Sequence, residues 1–299
     1  MFDLRYHVAS LAAVFIALIV GILIGVGLSG RGFVSDSERQ LLNARITDLQ
    51  QRVTAAEARA AALSTAQKAA DSFVARAYPA LVRDRLRGKR IAVVFVGSVD
   101  ADLRAAIVEA LQDAGAPGFA RLRALRVPID TQRLATAIQA RPALAPYDGA
   151  QHLDDLGRDF GKQLVLGGRS ALVEALAPVL LEERSGNDRQ PLDGVVVVHT
   201  AEAQAGASAL FLNGLYTGLG RAGIPAVGVE ASAAAAAASA VPAFQRAGLS
   251  SVDDIDQRTG RAALVLLLGG ATHGDYGVKA TATSGIIPVA PAPAAASGG

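Results

Sequence analysis

The four histidines are the side chains best suited to binding a transition metal, and they stand far apart in the sequence. His7, His152, His199 and His273 form neither an H-x3-H nor an H-E-x-x-H spacing. Cysteine is absent and Met1 is the only methionine, so the sulfur ligands that Cu(I) prefers are missing. We expect the three histidines after residue 100 not to converge in the fold. The composition predicts a protein without a metal site, disulfides or thiolate chemistry.

A short acidic group, Asp253, Asp254 and Asp256, is the second feature with chemical potential. Its carboxylates could ligate Ca²⁺ or Mg²⁺, because both are hard cations that prefer oxygen. The group lacks the central glycine and the twelfth-position glutamate of an EF-hand loop. We therefore favour a turn followed by a helix N-cap and keep a hard-cation site as the alternative.

Enzymatic chemistry finds little support in the sequence. No nucleophile elbow is present, and no spacing groups a serine, a histidine and a carboxylate. His199 ends a predicted strand, where active sites of parallel sheets lie, but a histidine that hydrogen-bonds in the adjoining loop is the simpler interpretation. Gly97 follows another predicted strand without completing a nucleotide-binding motif, and we interpret the nearby Asp100 as a helix cap. We predict a non-enzymatic protein without catalytic residues or a cofactor.

Nucleic-acid binding is also disfavoured. The net charge is +2 over 299 residues, and aromatic residues make up only 5% of the chain. The arginines are scattered, so the chain lacks a basic patch interleaved with aromatic side chains that could stack on bases.

The elements that position these residues begin with an uncharged run from Val8 to Leu28. A helix of about 21 residues spans ~31 Å, close to the roughly 30 Å of a bilayer's hydrocarbon core. The exit from the run, residues 27–31, lacks the small-residue site at which a signal peptide is cleaved. We predict a single transmembrane anchor over residues 1–30. The charges that flank the run barely discriminate between the two orientations. Because the segment before the run is very short, we favour an N-terminus inside the cell and the rest of the chain outside the cytoplasm.

The segment 31–78 has the pattern of a parallel coiled coil. The d positions are Leu42, Leu49, Ala56, Leu63 and Ala70, and the a positions are Ile46, Val53, Ala60, Gln67 and Val74. Pro79 is expected to end the helix at Tyr78. The alternative is an amphipathic helix that packs against its own domain.

A G-x-x-x-G within the anchor favours the dimer, because Gly21 and Gly25 would let two membrane helices approach closely. We therefore predict a parallel homodimer. Its oligomerisation residues are Gly21, Gly25, Leu42, Ile46, Leu49, Val53 and Leu63.

Residues 89–287 alternate between strand and helix patterns, which predicts a doubly wound, mostly parallel α/β head domain. The predicted strands are Arg90–Gly97, Gly118–Val127 (nearer an edge), Leu164–Gly168, Gly194–Thr200, Ile224–Glu230 and Ser250–Ile255. The predicted helices are Asp100–Ala114, Asp130–Ala140, Ser170–Glu183, Ala203–Ala222, an alanine-rich helix from Ser232, one near Gln245 and Arg258–Leu268. Residues 288–299 lack periodicity, and we predict a disordered tail there.

Three stretches resemble the actinobacterial copper transport protein B family. They are Phe2–Leu11 at the entry to the anchor, the strand and helix from Gly194 to Glu230, and the ending from Ser250 to Gly270 with Asp275 to Ala280. This ending contains S-V-D-D from Ser251 and Y-G-V-K from Tyr276. The resemblance covers the whole chain in order. It implies this same architecture, and a role in copper efflux or channel formation in the mycobacterial envelope.

A related branch of the family implies a different role, as a dimeric membrane-anchored scaffold that works with an envelope partner to regulate cell division and peptidoglycan hydrolysis. The residues themselves fit a channel poorly, because a pore needs several spanning helices or a closed barrel. We therefore expect a single-pass protein of the cell envelope with a role in copper homeostasis, and indirect handling of copper. The division scaffold is the alternative.

Overall fold

The computed structural model describes residues 4–29, 36–168, 170–187, 189–235 and 238–289. The chain divides into two units, Met1–Ala69 and Ala70–Gly299, which are taken in turn. The predicted disordered tail lies outside the described residues from residue 290 onward.

The first unit consists of helix α1, Leu4–Ser29, and the first part of helix α2, Asp36–Val82. Within α1 the window Ala9–Val26 has a mean hydropathy of 2.8, and none of it is buried. A helix of this length and composition could cross a membrane, so the predicted apolar N-terminal helix is confirmed.

The end of α2 belongs to the second unit and differs from the prediction. The helix continues through Pro79 to Val82 instead of ending at Tyr78. Tyr78 and Val82 are buried, as is Leu86 in the turn that follows. Burial of these three side chains outweighs the helical hydrogen bond that Pro79 cannot donate.

The second unit is built on one seven-stranded sheet with the order β3-β2-β1-β4-β5-β6-β7. The strands are β1 Ile91–Val96, β2 Arg121–Leu125, β3 Leu181–Gly186, β4 Gly194–His199, β5 Ala226–Val229, β6 Ser250–Val252 and β7 Asp275–Tyr276. β3 pairs antiparallel to β2, and the other pairings are parallel. The order places β1 and β4 side by side at the centre, where the chain changes direction across the sheet.

Helices cover both faces of this sheet. They are α3 Ala101–Asp113, α4 Thr131–Gln139, α5 Leu153–Val165, α6 Ala171–Leu180, α7 Gly206–Gly220, α8 Val241–Ala247 and α9 Arg258–Leu268. In β1, Ala92, Val94 and Val96 point into a core with α4 to α8, while Ile91, Val93 and Phe95 point into a core with α3, α9 and the end of α2. This alternation explains why the central strands are apolar at every position.

The structure corrects several predicted elements. β2 lies nearer an edge than β1, as predicted, but an unpredicted strand, β3, pairs with its outer side. The helix predicted to reach Glu183 ends at Leu180, because the following polar residues form β3. The predicted strand Leu164–Gly168 is the end of α5 and a turn. The described residues 232–235 form a turn where an alanine-rich helix was expected.

Helix α5, which was not predicted from the sequence, packs against α7 through four glycines. Gly157 and Gly161 on α5 face Gly214 and Gly218 on α7 so closely that an added Cβ atom would overlap backbone carbonyl oxygens of the other helix. The glycines therefore permit contact between the two helix backbones. In the sequence alone, glycine reads as a helix breaker.

Candidate functional site

The loops after β1 and β4 meet at the centre of the sheet, where ligands of open α/β sheets usually bind. The Thr200 hydroxyl donates hydrogen bonds to the carbonyl oxygens of Ser98 at 2.7 Å and Val96 at 3.3 Å. The backbone N–H groups of Thr200 and Ala201 also donate to Val96. A Cβ atom on Gly97 would lie 2.9 Å from the Thr200 hydroxyl oxygen. Gly97 thus permits the close contact of the two loops.

Asp100 has the predicted role of a helix cap. Its carboxylate accepts hydrogen bonds of 2.9 Å from the backbone N–H groups of Asp102 and Leu103 at the start of α3. This satisfies two donors that the first turn of a helix leaves unpaired.

His199 ends β4 and is engaged by its own surroundings. Its Nδ1 atom lies 3.0 Å from the hydroxyl group of Tyr216, which is buried in α7. Burial lowers the pKa of His199, although the charge of Glu230 and a hydrogen bond with the backbone of Ala201 oppose the shift. Burial also raises the pKa of Tyr216, so this phenol keeps its proton at neutral pH. The arrangement matches the simpler interpretation of His199 as a hydrogen-bonding group.

A network of buried charges joins the ends of β5, β6 and β7. Lys279 donates from its ammonium group to Glu230 at 2.7 Å and to the carbonyl oxygen of Ala231 at 2.8 Å. Glu230 also accepts from the Ser239 hydroxyl at 2.9 Å and from the backbone N–H of Ala240 at 3.1 Å. These hydrogen bonds compensate part of the cost of burying both charges.

Asp253 ties the network to the loop after β7. Its carboxylate accepts from the backbone N–H of Val278 at 2.8 Å and of Lys279 at 3.2 Å. An added Cβ atom on Gly277 would overlap the Asp253 side chain, so the glycine makes this approach possible. The S-V-D-D and Y-G-V-K segments that carry the family resemblance therefore meet in space.

Asp254 and Asp256 form the predicted turn but do not cap a helix. Asp254 accepts at 2.6 Å from the Thr259 hydroxyl, and its Oδ1 atom is buried without a hydrogen-bond partner among the described residues. Burial raises the pKa of Asp254 to about 6. Asp256 accepts from the Ser232 hydroxyl at 2.6 Å. Helix α9 begins at Arg258 after Gln257, which makes no side-chain cap, so the N-cap prediction is wrong.

The histidines of the head lie at different places in the fold. His199 stands at the carboxyl end of β4, whereas His273 precedes β7 and lies 3.2 Å from the carbonyl oxygen of Gly248, which precedes β6. Because these strands are parallel, His199 and His273 lie at opposite ends of the sheet. His152 lies in a short 3-10 helix before α5. Among the described residues, no group of three or more histidines and carboxylates is placed to hold a metal ion.

The predicted oligomerisation residues all lie on exposed surfaces of α1 and α2. The exposed fractions are 54% for Leu42, 51% for Ile46, 59% for Leu49, 55% for Val53 and 71% for Leu63. A Cβ atom added to Gly21 or Gly25 would meet no atom within 4 Å. The dimer interface, or seam, that these residues would form requires a second chain and stays a prediction.

Sequence reasoning missed the pairing of Glu230 with Lys279, although both residues belong to the segments that carry the resemblance. Spacing gave no signal, because 49 residues separate them. The one available signal was a glutamate placed directly after an apolar strand, where burial requires a partner.

Comparison with known proteins bears on the whole chain. A family model described as "Copper transport outer membrane protein, MctB" matches residues 1–287. The proteins named Copper transporter MctB from Mycobacterium tuberculosis and Mycobacterium bovis are 26% identical over 314 aligned residues. Each alignment covers 93% of this chain and 96% of the relative.

Proposed function

The chain belongs to the copper transport outer membrane protein family MctB, and we propose that it serves copper homeostasis in the cell envelope as a membrane-anchored homodimer that handles copper indirectly. The family match over residues 1–287 is the observation that carries this proposal. It includes the anchor, the long helix and the head, so the resemblance concerns the complete architecture.

The proposed dimer is parallel and single-pass, with its head outside the cytoplasm. The apolar window Ala9–Val26 supports one membrane span, and the apolar a and d side chains of α2 support a coiled coil because they lie exposed at heptad spacing. Burying such side chains against a second copy would remove apolar surface from water. Gly21 and Gly25 would allow close approach within the bilayer.

The indirect handling of copper rests on the chemistry of the available side chains. The chain has no cysteine and no methionine beyond Met1, so Cu(I) would depend on nitrogen and oxygen ligands. His199 is half-buried and hydrogen-bonded at Nδ1 to the Tyr216 hydroxyl, so this nitrogen would have to break that contact to bind a metal. His199 and His273 at opposite ends of the sheet support the same interpretation.

Transport by this chain would then involve a partner in the envelope. We describe the head as a doubly wound sheet, open at β3 and β7 and covered by helices on both faces. β1 and β5 are buried at every position, whereas a strand of a membrane barrel faces lipid on one side and water on the other. A scaffold that positions another protein would use the membrane anchor, the coiled coil of α2 and the head together.

Deletion of the gene from its own host tests the proposal. We expect increased sensitivity to copper and a raised content of cell-associated copper, both restored by the wild-type chain. A variant with Leu49→Asp and Val53→Asp should fail to restore resistance, because charges at the seam prevent the dimer. Normal copper resistance together with filamentous cells or septal defects would contradict the proposal and support the division scaffold.

A further inference from the structure

An apolar cavity lies between helix α4 and the segment that leads into α5. Its volume is about 360 Å³, within the roughly 300–1,000 Å³ typical of small-molecule sites. Leu134, Ala135 and Ile138 line it from one face of α4, because positions three and four residues apart share a face of a helix. Leu153 at the start of α5 adds to this aliphatic lining. The cavity has room for one organic ring or a short alkyl chain.

Two carboxylates lie close to this cavity. Asp148 lines it and accepts from the side-chain amide of Gln139 at 3.4 Å, which is long for a hydrogen bond. Asp159 accepts at 2.6 Å from the hydroxyl group of Tyr147, whose side chain also lines the cavity. Burial and the hydrogen bond to Asp159 raise the pKa of Tyr147 to about 12, so the phenol stays protonated near neutral pH. Tyr147 thus stands next to two carboxylates, its neighbour in the chain and its hydrogen-bond partner.

Within the described part of the chain, neither carboxylate forms an ion pair with a basic side chain. Arg133 and Arg158 pair with other aspartates, three and four residues before them. Arg141 donates at 3.2 Å to a backbone carbonyl oxygen of α4. Lys162 is exposed on α5 and is not within ion-pair distance of either carboxylate. The cavity therefore combines an apolar lining with negative charge that these basic residues do not neutralise.

This combination favours a ligand of positive charge. An anion would be repelled by Asp148, and a neutral molecule would displace water from that carboxylate without replacing its hydrogen bonds. An ammonium group would donate charge-assisted hydrogen bonds to the same carboxylate. Its apolar substituent would cover the aliphatic lining and remove that surface from water. A small organic amine therefore suits the cavity better than an acid or an alcohol of the same size.

We propose that this cavity binds one small organic ammonium ion, whose apolar part contacts Leu134, Ile138 and Leu153 and whose charged group contacts Asp148. A metal ion is not the expected ligand, because most of the lining is aliphatic and hard cations require several oxygen ligands. The site shares no residue with the buried network described above or with the proposed dimer seam.

Isothermal titration of the full chain in detergent micelles with 2-phenylethylammonium chloride tests this site, after subtraction of a titration into micelles alone. We expect saturable binding of one amine per chain. Asp148→Asn should weaken it by about 5-fold or more, and this exposed residue can be changed with little risk to folding. Glu182→Gln, at an exposed carboxylate of β3 that does not line the cavity, is the matched control and should leave the affinity unchanged.

Two further measurements separate the apolar contact from the charge. Ala135→Leu should fill part of the cavity and weaken binding by about 10-fold or more, with circular dichroism and thermal unfolding as checks of the fold. If that variant is unstable, Asp148→Asn decides the proposal. The neutral 2-phenylethanol should bind at least about 5-fold more weakly than the amine.

Four results would overturn the proposal. They are the absence of saturable amine binding, an equal loss of affinity in Asp148→Asn and Glu182→Gln, wild-type affinity in a folded Ala135→Leu, and equal affinity for 2-phenylethanol and the amine.

Discussion

The ammonium group of Lys279 lies 2.7 Å from a carboxylate oxygen of Glu230, and the two side chains are only 17% and 3% exposed. Glu230 follows β5 and Lys279 follows β7, so the pair spans β6, which lies between those strands. Asp253, directly after β6, accepts from the backbone N–H of Lys279. One lysine thereby holds the ends of three strands together, so the lysine of the Y-G-V-K segment has a structural role.

Removing Lys279 should be strongly destabilising. In Lys279→Met the Glu230 carboxylate stays buried without its cation, and we expect the free energy of unfolding to fall by about 3 kcal/mol. Urea unfolding of the full chain measures this loss. Lys162→Met, at an exposed position of α5, is the control and should change stability by less than about 0.5 kcal/mol. A loss no larger than that of the control would show that the pair does not hold the strands.

Asp254 should make stability depend on pH. Burial raises its pKa to about 6 from the ordinary 3.8, so the folded state holds the proton more tightly than the unfolded state. The resulting stabilisation is complete below pH 3.8 and is lost as the pH rises through about 6. In Asp254→Asn, the free energy of unfolding at pH 7 minus that at pH 4 should rise by about 2–3 kcal/mol relative to wild type.

Asp256 gives a matched control for that experiment, because its pKa shifts in the opposite direction. Burial alone would raise the pKa of Asp256, but hydrogen bonds from Ser232 outweigh it and lower the pKa. Its stabilisation is present above the unfolded pKa of 3.8 and is lost below it, so Asp256→Asn should leave the difference between pH 7 and pH 4 nearly unchanged. Identical pH dependence in wild type and Asp254→Asn would contradict the account of the buried carboxyl group.

The sequence predicted those elements that local patterns determine. The runs of β1 and β4 were located closely because a short, continuous apolar and β-branched segment suits a covered parallel strand. β3 was missed because its polar residues, from Glu182 to Ser185, form a strand only through pairing with β2. α5 was missed because Gly157 and Gly161 read as breakers, whereas they are contact positions against α7.

The hydrogen-bond partners of the aspartates and of His199 could not be predicted from the sequence. The aspartates of residues 253–256 were recognised as a group, but their partners Ser232, Val278 and Lys279 lie on other loops that only the sheet brings together. His199 was placed correctly at a strand end, while its bond to Tyr216 depends on how α7 packs across the sheet. Tertiary contacts of this kind leave no spacing pattern.

Disulfide crosslinking tests the proposed seam of α2. A cysteine introduced in Ile46→Cys should crosslink two copies efficiently, because an a position faces its equivalent in a parallel dimer. Adding Leu49→Asp and Val53→Asp should abolish crosslinking, since like charges would be buried together. Ala44→Asp with Gln51→Asp, both at f positions, adds the same charge on the outer face and should preserve it. Crosslinking that survives the seam substitutions would contradict the proposed a and d interface, and its absence in Ile46→Cys alone would favour a helix packed against its own domain.

Reporter fusions test the orientation of the anchor. With one span at Ala9–Val26, alkaline phosphatase fused after residue 289 should be active, because it would fold outside the cytoplasm. A green fluorescent protein fusion at the same point should be dark if export is by the Sec route. The reverse pattern, at matched expression, would place the head in the cytoplasm.

Competition for Cu(I) between the full chain and a calibrated chelator tests the central claim most directly. Because the chain lacks sulfur ligands beyond Met1 and its head histidines lie apart, we predict weak binding without a defined stoichiometry. His199→Ala should leave that weak binding unchanged, since the imidazole is hydrogen-bonded to Tyr216 and lies apart from His273. Tight binding of one Cu(I) per chain, lost in His199→Ala, would contradict indirect handling and assign the metal to the head.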